Sequence, residues 1–345
     1  MFESCFRNTK LSDVLREGKG FTIGLIAGSQ APTWIYDTVG VPALRDITLN
    51  ATQRKTGALG CQKINQPLVW DERYLHQYAA TMTALANHLE RVERPAPGGG
   101  TAFDSLVGVK LSGINLTTEE LRIDAHVATP DLAACPEPDV TAMWKARGYR
   151  PHLILQAWRE IARMTANIYP GKLLNVDVIP NAAFPNIDDN GTRIPPPNLP
   201  GRKHVVEPLN ATILDYGVAT YGKLLLVQWD ALSQDGILPV EVTDSGKRGA
   251  SMGYQMNGFG GGNFGGSGCI YNPGFKIMPC RNVDDFYQAL SDGIRSVARY
   301  IEVQPPNVAI QFLNPANPAI SSFAPAFEKA ARNLVQYGPA RSKGS

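Results

Sequence analysis

Strand-length apolar runs alternate with longer stretches of helical period along the chain, and no other feature constrains its fold as tightly. The runs are GFTIGLIAG (20–28), GALGCQKI (57–64), LVGVKLSGI (106–114), KLLNVDVIP (172–180), KLLLVQW (223–229), ASMGYQM (250–256) and ARYIEV (298–303). Several lack a polar face, as expected of strands covered on both sides in a parallel sheet. Between them lie amphipathic segments. WDERYLHQYAATMTALANHLERV opens on Asp71 as an N-cap and lines up Leu75, Tyr78, Met82, Leu85, Leu89 and Val92. PHLILQAWREIARMTANIY does the same with Ile154, Ala157, Ile161, Met164 and Ile168, and DDFYQALSDGIRSVARYI with Phe286, Leu290, Ile294 and Val297.

Repeated strand–helix units at 345 residues predict an α/β fold, a (β/α)8 barrel or a doubly wound sheet. Neither repeats nor a linker interrupt the sequence, so 1–345 reads as a single domain. Long segments rich in Gly, Pro and aromatics follow several strands, at 28–56, 180–204, 229–249 and 257–280. In a barrel they gather at the C-terminal face, where sites are built. The stretch 93–104, ERPAPGGGTAFD, reads as a surface loop. Only seven strands are evident, the first begins near residue 20, and residues 1–12 are poor strand material. The first barrel strand is thus absent or unrecognised.

Composition excludes several classes of function. With 33 basic and 31 acidic residues, scattered, there is no stripe for nucleic acid or an anionic membrane. No apolar run reaches 18 residues, so none is expected to span a bilayer. The N-terminus lacks a signal-peptide core, which implies an intracellular protein or a mature or truncated chain. The five cysteines (Cys5, Cys61, Cys135, Cys269, Cys280) form no C-x-x-C pair; Cys269 and Cys280 bracket a loop that a disulfide or two free thiols fit equally. The five histidines show no metal-ligand spacing, and there is no G-x-S-x-G or Walker A lysine. No metal or organic cofactor is implied, and a homo-oligomer is compatible with the sequence.

The 258–268 glycine loop carries a formal G-x-G-x-x-G at Gly260, Gly262 and Gly265, with Asp284 further on. A dinucleotide fingerprint needs a helix beginning at the third glycine, and SGCIYNPGFKIMPC follows instead. A tightly turned active-site loop is the better reading. Carboxylates remain. Glu119 and Glu120 end one strand unit, and Glu302 lies inside the apolar YIEV, where a carboxylate is costly unless paired or facing a polar mouth. Glu119 serves equally well in a capping box with Asn115, Thr117 or Thr118. Trp34, Trp70, Trp229, Tyr254 and Gln255 lie at or just beyond strand ends, aromatic faces and an amide suited to sugar rings and hydroxyls.

IGLIAGSQAPTWIYD, PLVWDERYLHQYAATMTALANHL and VGVKLSGINLTTEELRI together resemble the layout of (β/α)8-barrel glycoside hydrolases of the clan A, β-galactosidase-like type. That resemblance implies a TIM barrel cleaving a glycosidic bond of a carbohydrate substrate. It implies Glu119 or Glu120 as acid/base; Glu302 is read as the second carboxylate in place of the family's strand-seven nucleophile, and Trp34, Trp70, Asn115, Trp229, Tyr254 and Gln255 as substrate-binding residues. Where such enzymes carry a nucleophile at strand seven, this chain has Tyr254 and Gln255; Glu241 and Asp244 are reserve carboxylates. Two other readings follow from the missing nucleophile and from the glycine loop. One is a catalytically inactive barrel that binds carbohydrate or serves in assembly; the other is a nucleotide-dependent oxidoreductase.

Overall fold

The computed structural model describes residues 10–49, 62–95, 99–116, 120–123, 139–179, 183–195, 206, 208–232, 239–256, 291–296, 298–303 and 332. They fall in two compact units. The first comprises Met1–Asp177, Ala182–Asn198 and Glu207–Ile213, the second Val178–Asn181, Leu199–Val206 and Leu214–Ser345.

In the first unit, helix α1 (Lys10–Arg16) leads into strand β1 (Phe21–Gly24), helix α2 (Trp34–Asp37) and strands β2 (Ala43–Leu49) and β3 (Gln62–Pro67). Helices α3 (Glu72–Arg91) and α4 (Ala102–Ser105) then precede β4 (Leu106–Lys110), and α5 (Val140–Ala146) and α6 (Pro151–Ile168) precede β5 (Leu173–Val178). Strand β4 pairs in parallel with β1 on one side and β5 on the other. Helix α3 begins where Asp71 accepts from the backbone N–H of Arg73, and buries Tyr74, Tyr78, Met82, Ala86 and Leu89. The buried stripe is turned slightly from the expected one: Leu75 and Leu85 flank it, and Tyr74 and Ala86 join its centre. Helix α6 starts at Pro151, which lacks the N–H a first turn leaves unbonded anyway. It packs Ile154, Trp158 and Ile161 inward, and α3 and α6 lie against each other.

Helix α7 (Pro208–Tyr221) crosses the boundary between the units. The second unit then holds β6 (Leu225–Leu232), α8 (Val240–Lys247), β7 (Ser251–Met256) and β8 (Ala298–Val303). β7 is parallel to both β6 and β8. The parallel strands β1, β4, β5, β6, β7 and β8 succeed one another in chain order with helices between them. This is an α/β fold of the (β/α)8 TIM-barrel class, and among the described residues a helix, not a strand, precedes β1.

Four expectations are corrected. The run at 57–64 does not supply a parallel barrel strand. Its described end belongs to β3, which is antiparallel to β2 in a separate two-stranded sheet, with Leu44 opposite Gln66 and Ile47 opposite Ile64. Partner and direction are set by distant residues, and the Gly- and Pro-containing segment 28–56 conceals both α2 and β2. Between Leu44 and Ile47 the register slips and Asp46 takes a left-handed φ of 58°, its N–H donating to the Asn65 side chain. The strand read to residue 114 ends at Lys110. The 229–249 segment contains α8, and the 93–104 loop ends in α4, whose Thr101 and Asp104 form a reciprocal capping box.

Candidate functional site

Alternation along a strand sends successive side chains to opposite faces, and paired residues on neighbouring parallel strands share a face. In β6–β8, Gln228, Gly253 and Tyr300 form one row, and Gln255 and Glu302 the next. Asp230, two residues beyond Gln228, joins the same face. Asp230, Gln255 and Glu302 lie in the C-terminal halves of their strands, the end at which barrels build sites, with Gln228, Gly253 and Tyr300 just before them near mid-strand.

The row of three has a gap at its centre, because Gly253 carries no side chain. Gln228 reaches over it. Its amide nitrogen donates to Asp230 Oδ1 at 3.0 Å and to Glu302 Oε2 at 3.1 Å. The Tyr300 hydroxyl donates to the same Glu302 oxygen at 3.4 Å. Two carboxylate oxygens that share a donor at 3.0 and 3.1 Å lie within about 6 Å of one another. Gln228 and Asp230 are buried, at 0% and 2% exposure. Gln255 is 4% exposed, and its amide nitrogen has no hydrogen-bond partner among the described residues.

The opposite face of β6 and β7 is a packing surface. Trp229 and Tyr254 point there and are 0% and 1% exposed, and α8 packs against β6. Tyr254 donates from its hydroxyl to the Ser296 carbonyl at 3.3 Å, and burial pushes its pKa up to about 12. Of the expected residues in this unit, Gln255 and Glu302 are therefore brought together, and Trp229 and Tyr254 stand on the other side of the sheet. Glu241 and Asp244 belong to α8, with Asp244 paired to Lys247 at 2.9 Å.

The first unit holds a separate polar row. Gly24, Lys110 and Asn175 are level on β1, β4 and β5, with Asp177 two residues further along. Lys110 Nζ meets Asp177 Oδ2 at 2.9 Å, the two side chains 9% and 0% exposed, a pair whose desolvation is tolerable only because each charge holds the other. The methylenes of Lys110 lie beside Gly24, where an added Cβ would come within 3.2 Å of Lys110 Cβ. Asn115 is a brace: its Oδ1 accepts from the Gly28 N–H at 3.1 Å and its carbonyl from Gln66 Nε2 at 2.8 Å. Glu120 is half-buried, and the next residue, Leu121, donates its N–H to the Asp177 carbonyl at 3.0 Å. Trp70 leans on Trp144 and Tyr149, at ring-centroid distances of 5.8 and 6.1 Å, whereas Trp34 is 42% exposed at the start of α2. Glu119, the 258–268 glycine loop, Asp284 and all five cysteines lie outside the described residues.

Gln228, Asp230 and Tyr300 escape a reading by hydrophobic runs alone. A period-2 reading would have found them, because Gln228-Trp229-Asp230, Gly253-Tyr254-Gln255 and Tyr300-Ile301-Glu302 each put two non-apolar or small residues astride a large apolar one. Asn175-Val176-Asp177 repeats the pattern in the first unit. Among the described residues no group of three or more His, Cys, Asp and Glu is placed to hold a metal ion, and no helix is long and apolar enough to cross a membrane.

No protein-family model matches the chain, and no curated protein does. Among solved structures, it is similar to a variant of morphinone reductase in complex with tetrahydroNAD, at 12% identity and a TM-score of 0.36, over 74% of this chain and 52% of that one. The chain thus spans about half the length of that protein. These findings correct the glycoside hydrolase expectation: neither a clan A model nor a curated glycosidase matches, and the solved structure is that of a reductase. The resemblance, the hydrolase activity and a part in polysaccharide degradation fall with it. Its motifs, a Gly-ended strand, a Trp-Asp helix start and a Glu after a strand, are ones that strand–helix alternation with aromatic loops produces readily.

Proposed function

We propose that the chain binds a neutral, hydroxyl-rich small molecule of the carbohydrate class on the polar face of β6–β8. The observation that carries this reading is the Asp230–Gln228–Glu302 bridge, which sets two carboxylates about Gly253 on one strand face. Carboxylates only accept hydrogen bonds, amide nitrogens only donate, and a hydroxyl does both. A polyol therefore satisfies such a face. A phosphate or carboxylate ligand would bring negative charge against Asp230 and Glu302, which disfavours it.

Titration calorimetry with neutral monosaccharides, the matching sugar acids and NADH tests the proposal. Neutral sugars should bind and sugar acids should not. Asp230→Asn and Glu302→Gln should each weaken sugar binding about tenfold, as expected for loss of a hydrogen bond to a charged group. Saturable NADH binding with no response to any sugar would replace this reading with the oxidoreductase one.

A further inference from the structure

We infer that Gln255 is the residue with which the β6–β8 face recognises a ligand hydroxyl: its amide nitrogen donates to the hydroxyl oxygen while Glu302 accepts that hydroxyl's proton or its neighbour's. The inference rests on the reading above and narrows it to ligands that keep a hydroxyl at this point, as against deoxy or O-methyl analogues.

Three observations support it. Gln255 is paired in register with Glu302, so donor and acceptor stand side by side on adjacent strands and on one face. Among the described residues nothing bonds its buried amide nitrogen, a state that costs free energy and is relieved by a partner admitted to the face. The neighbouring polar groups are engaged differently. Gln228 spends its amide on Asp230 and Glu302, and Tyr300 directs its hydroxyl at Glu302. Gln228, crossing over Gly253, forms a floor one row below, and Gln255 stands beside Glu302 one row nearer the strand ends. A ring arriving from the C-terminal end of the strands would meet Gln255 and Glu302 before that floor.

The test compares wild type with Gln255→Met, which keeps the length of the side chain and removes its polar end. Melting temperatures are measured without ligand, and dissociation constants for D-glucose, D-galactose and D-mannose and their monodeoxy analogues. A buried donor without an internal partner adds no stability in the absence of ligand. Unliganded Gln255→Met should accordingly melt at or above wild type. Wild type should prefer one parent sugar over one deoxy analogue by about tenfold or more, and Gln255→Met should bind the two alike. Lower melting of unliganded Gln255→Met would show that the amide already has an internal partner and would overturn the inference. So would retained discrimination in that variant. If wild type binds none of the sugars, the preceding reading fails and this one with it; sugar binding with unaltered discrimination removes only the role of Gln255. Should Gln255→Met not fold, Gln255→Asn withdraws the amide by one methylene and is expected to weaken binding of the preferred sugar about tenfold, whereas unchanged affinity would count against the inference.

Discussion

Two glycines show how much depends on what lies beside a single Cα. An added Cβ at Gly28 would lie 1.9 Å from the Asn115 carbonyl oxygen and 2.6 Å from that of Leu116, both backbone atoms held by further hydrogen bonds. At Gly253 the nearest atoms would all belong to the Leu226 side chain, the first at 3.3 Å. Gly28→Ala should therefore cost more than about 3 kcal/mol in a denaturant titration, since backbone cannot step aside. Gly253→Ala should change stability by less than about 1 kcal/mol, because a leucine rotamer can give. The same methyl would intrude on the row occupied by Gln228 and Tyr300, so sugar affinity should fall while the fold persists. Neither outcome is legible in the sequence, where both positions are simply glycines near strands. Glu302 was legible, because a lone carboxylate in an apolar strand demands an explanation. Its pairing with Gln228 was not, because the two are 74 residues apart and meet only across β7.

Among the elements, α3 is the one whose limits were written locally. Asp71 accepts from the Arg73 N–H at 3.0 Å, and its two carboxylate oxygens also receive the Arg73 guanidinium. Asp71→Ala should lower stability by about 1 kcal/mol and Asp71→Ser should restore most of it, measured by chemical denaturation, since a serine hydroxyl caps the same N–H. The helices α3 and α6 follow from apolar spacing because their hydrogen bonds run within one segment. Strands carry no such guarantee. The residues of β3, Gln62–Pro67, are mostly polar, and they pair antiparallel with β2; only the presence of β2 at the right distance decides that. Face assignment has the same origin. Trp229 and Tyr254 look like mouth aromatics by position, but the pairing of Gln228 with Gly253 turns them to the packed side.

At the scale of the whole molecule, the described residues include five buried phenols that respond to alkali. Burial pushes Tyr36 and Tyr254 up to about 12 and moves Tyr74, Tyr78 and Tyr169 upward too. In the unfolded chain a tyrosine ionises near pH ~10. A raised folded pKa means that the folded state holds the proton longer, so this stabilisation is complete below about pH 10 and is lost as pH rises through about 12. Denaturant midpoints should be level through neutral pH and fall steeply across that interval, and Tyr254→Phe should soften the fall. Sequence by itself determined the alternation of strands and helices, and with it the α/β barrel class, because apolar periodicity acts within ten or twenty residues. It also marked Glu302 and Gln255. Tertiary structure alone decided which strands pair, in which direction and which face they show. It thereby set Gln228 between Asp230 and Glu302, and left Gln255 beside them with its amide nitrogen unbonded by any described residue, since hydrogen-bond register between distant segments is a property of the folded chain.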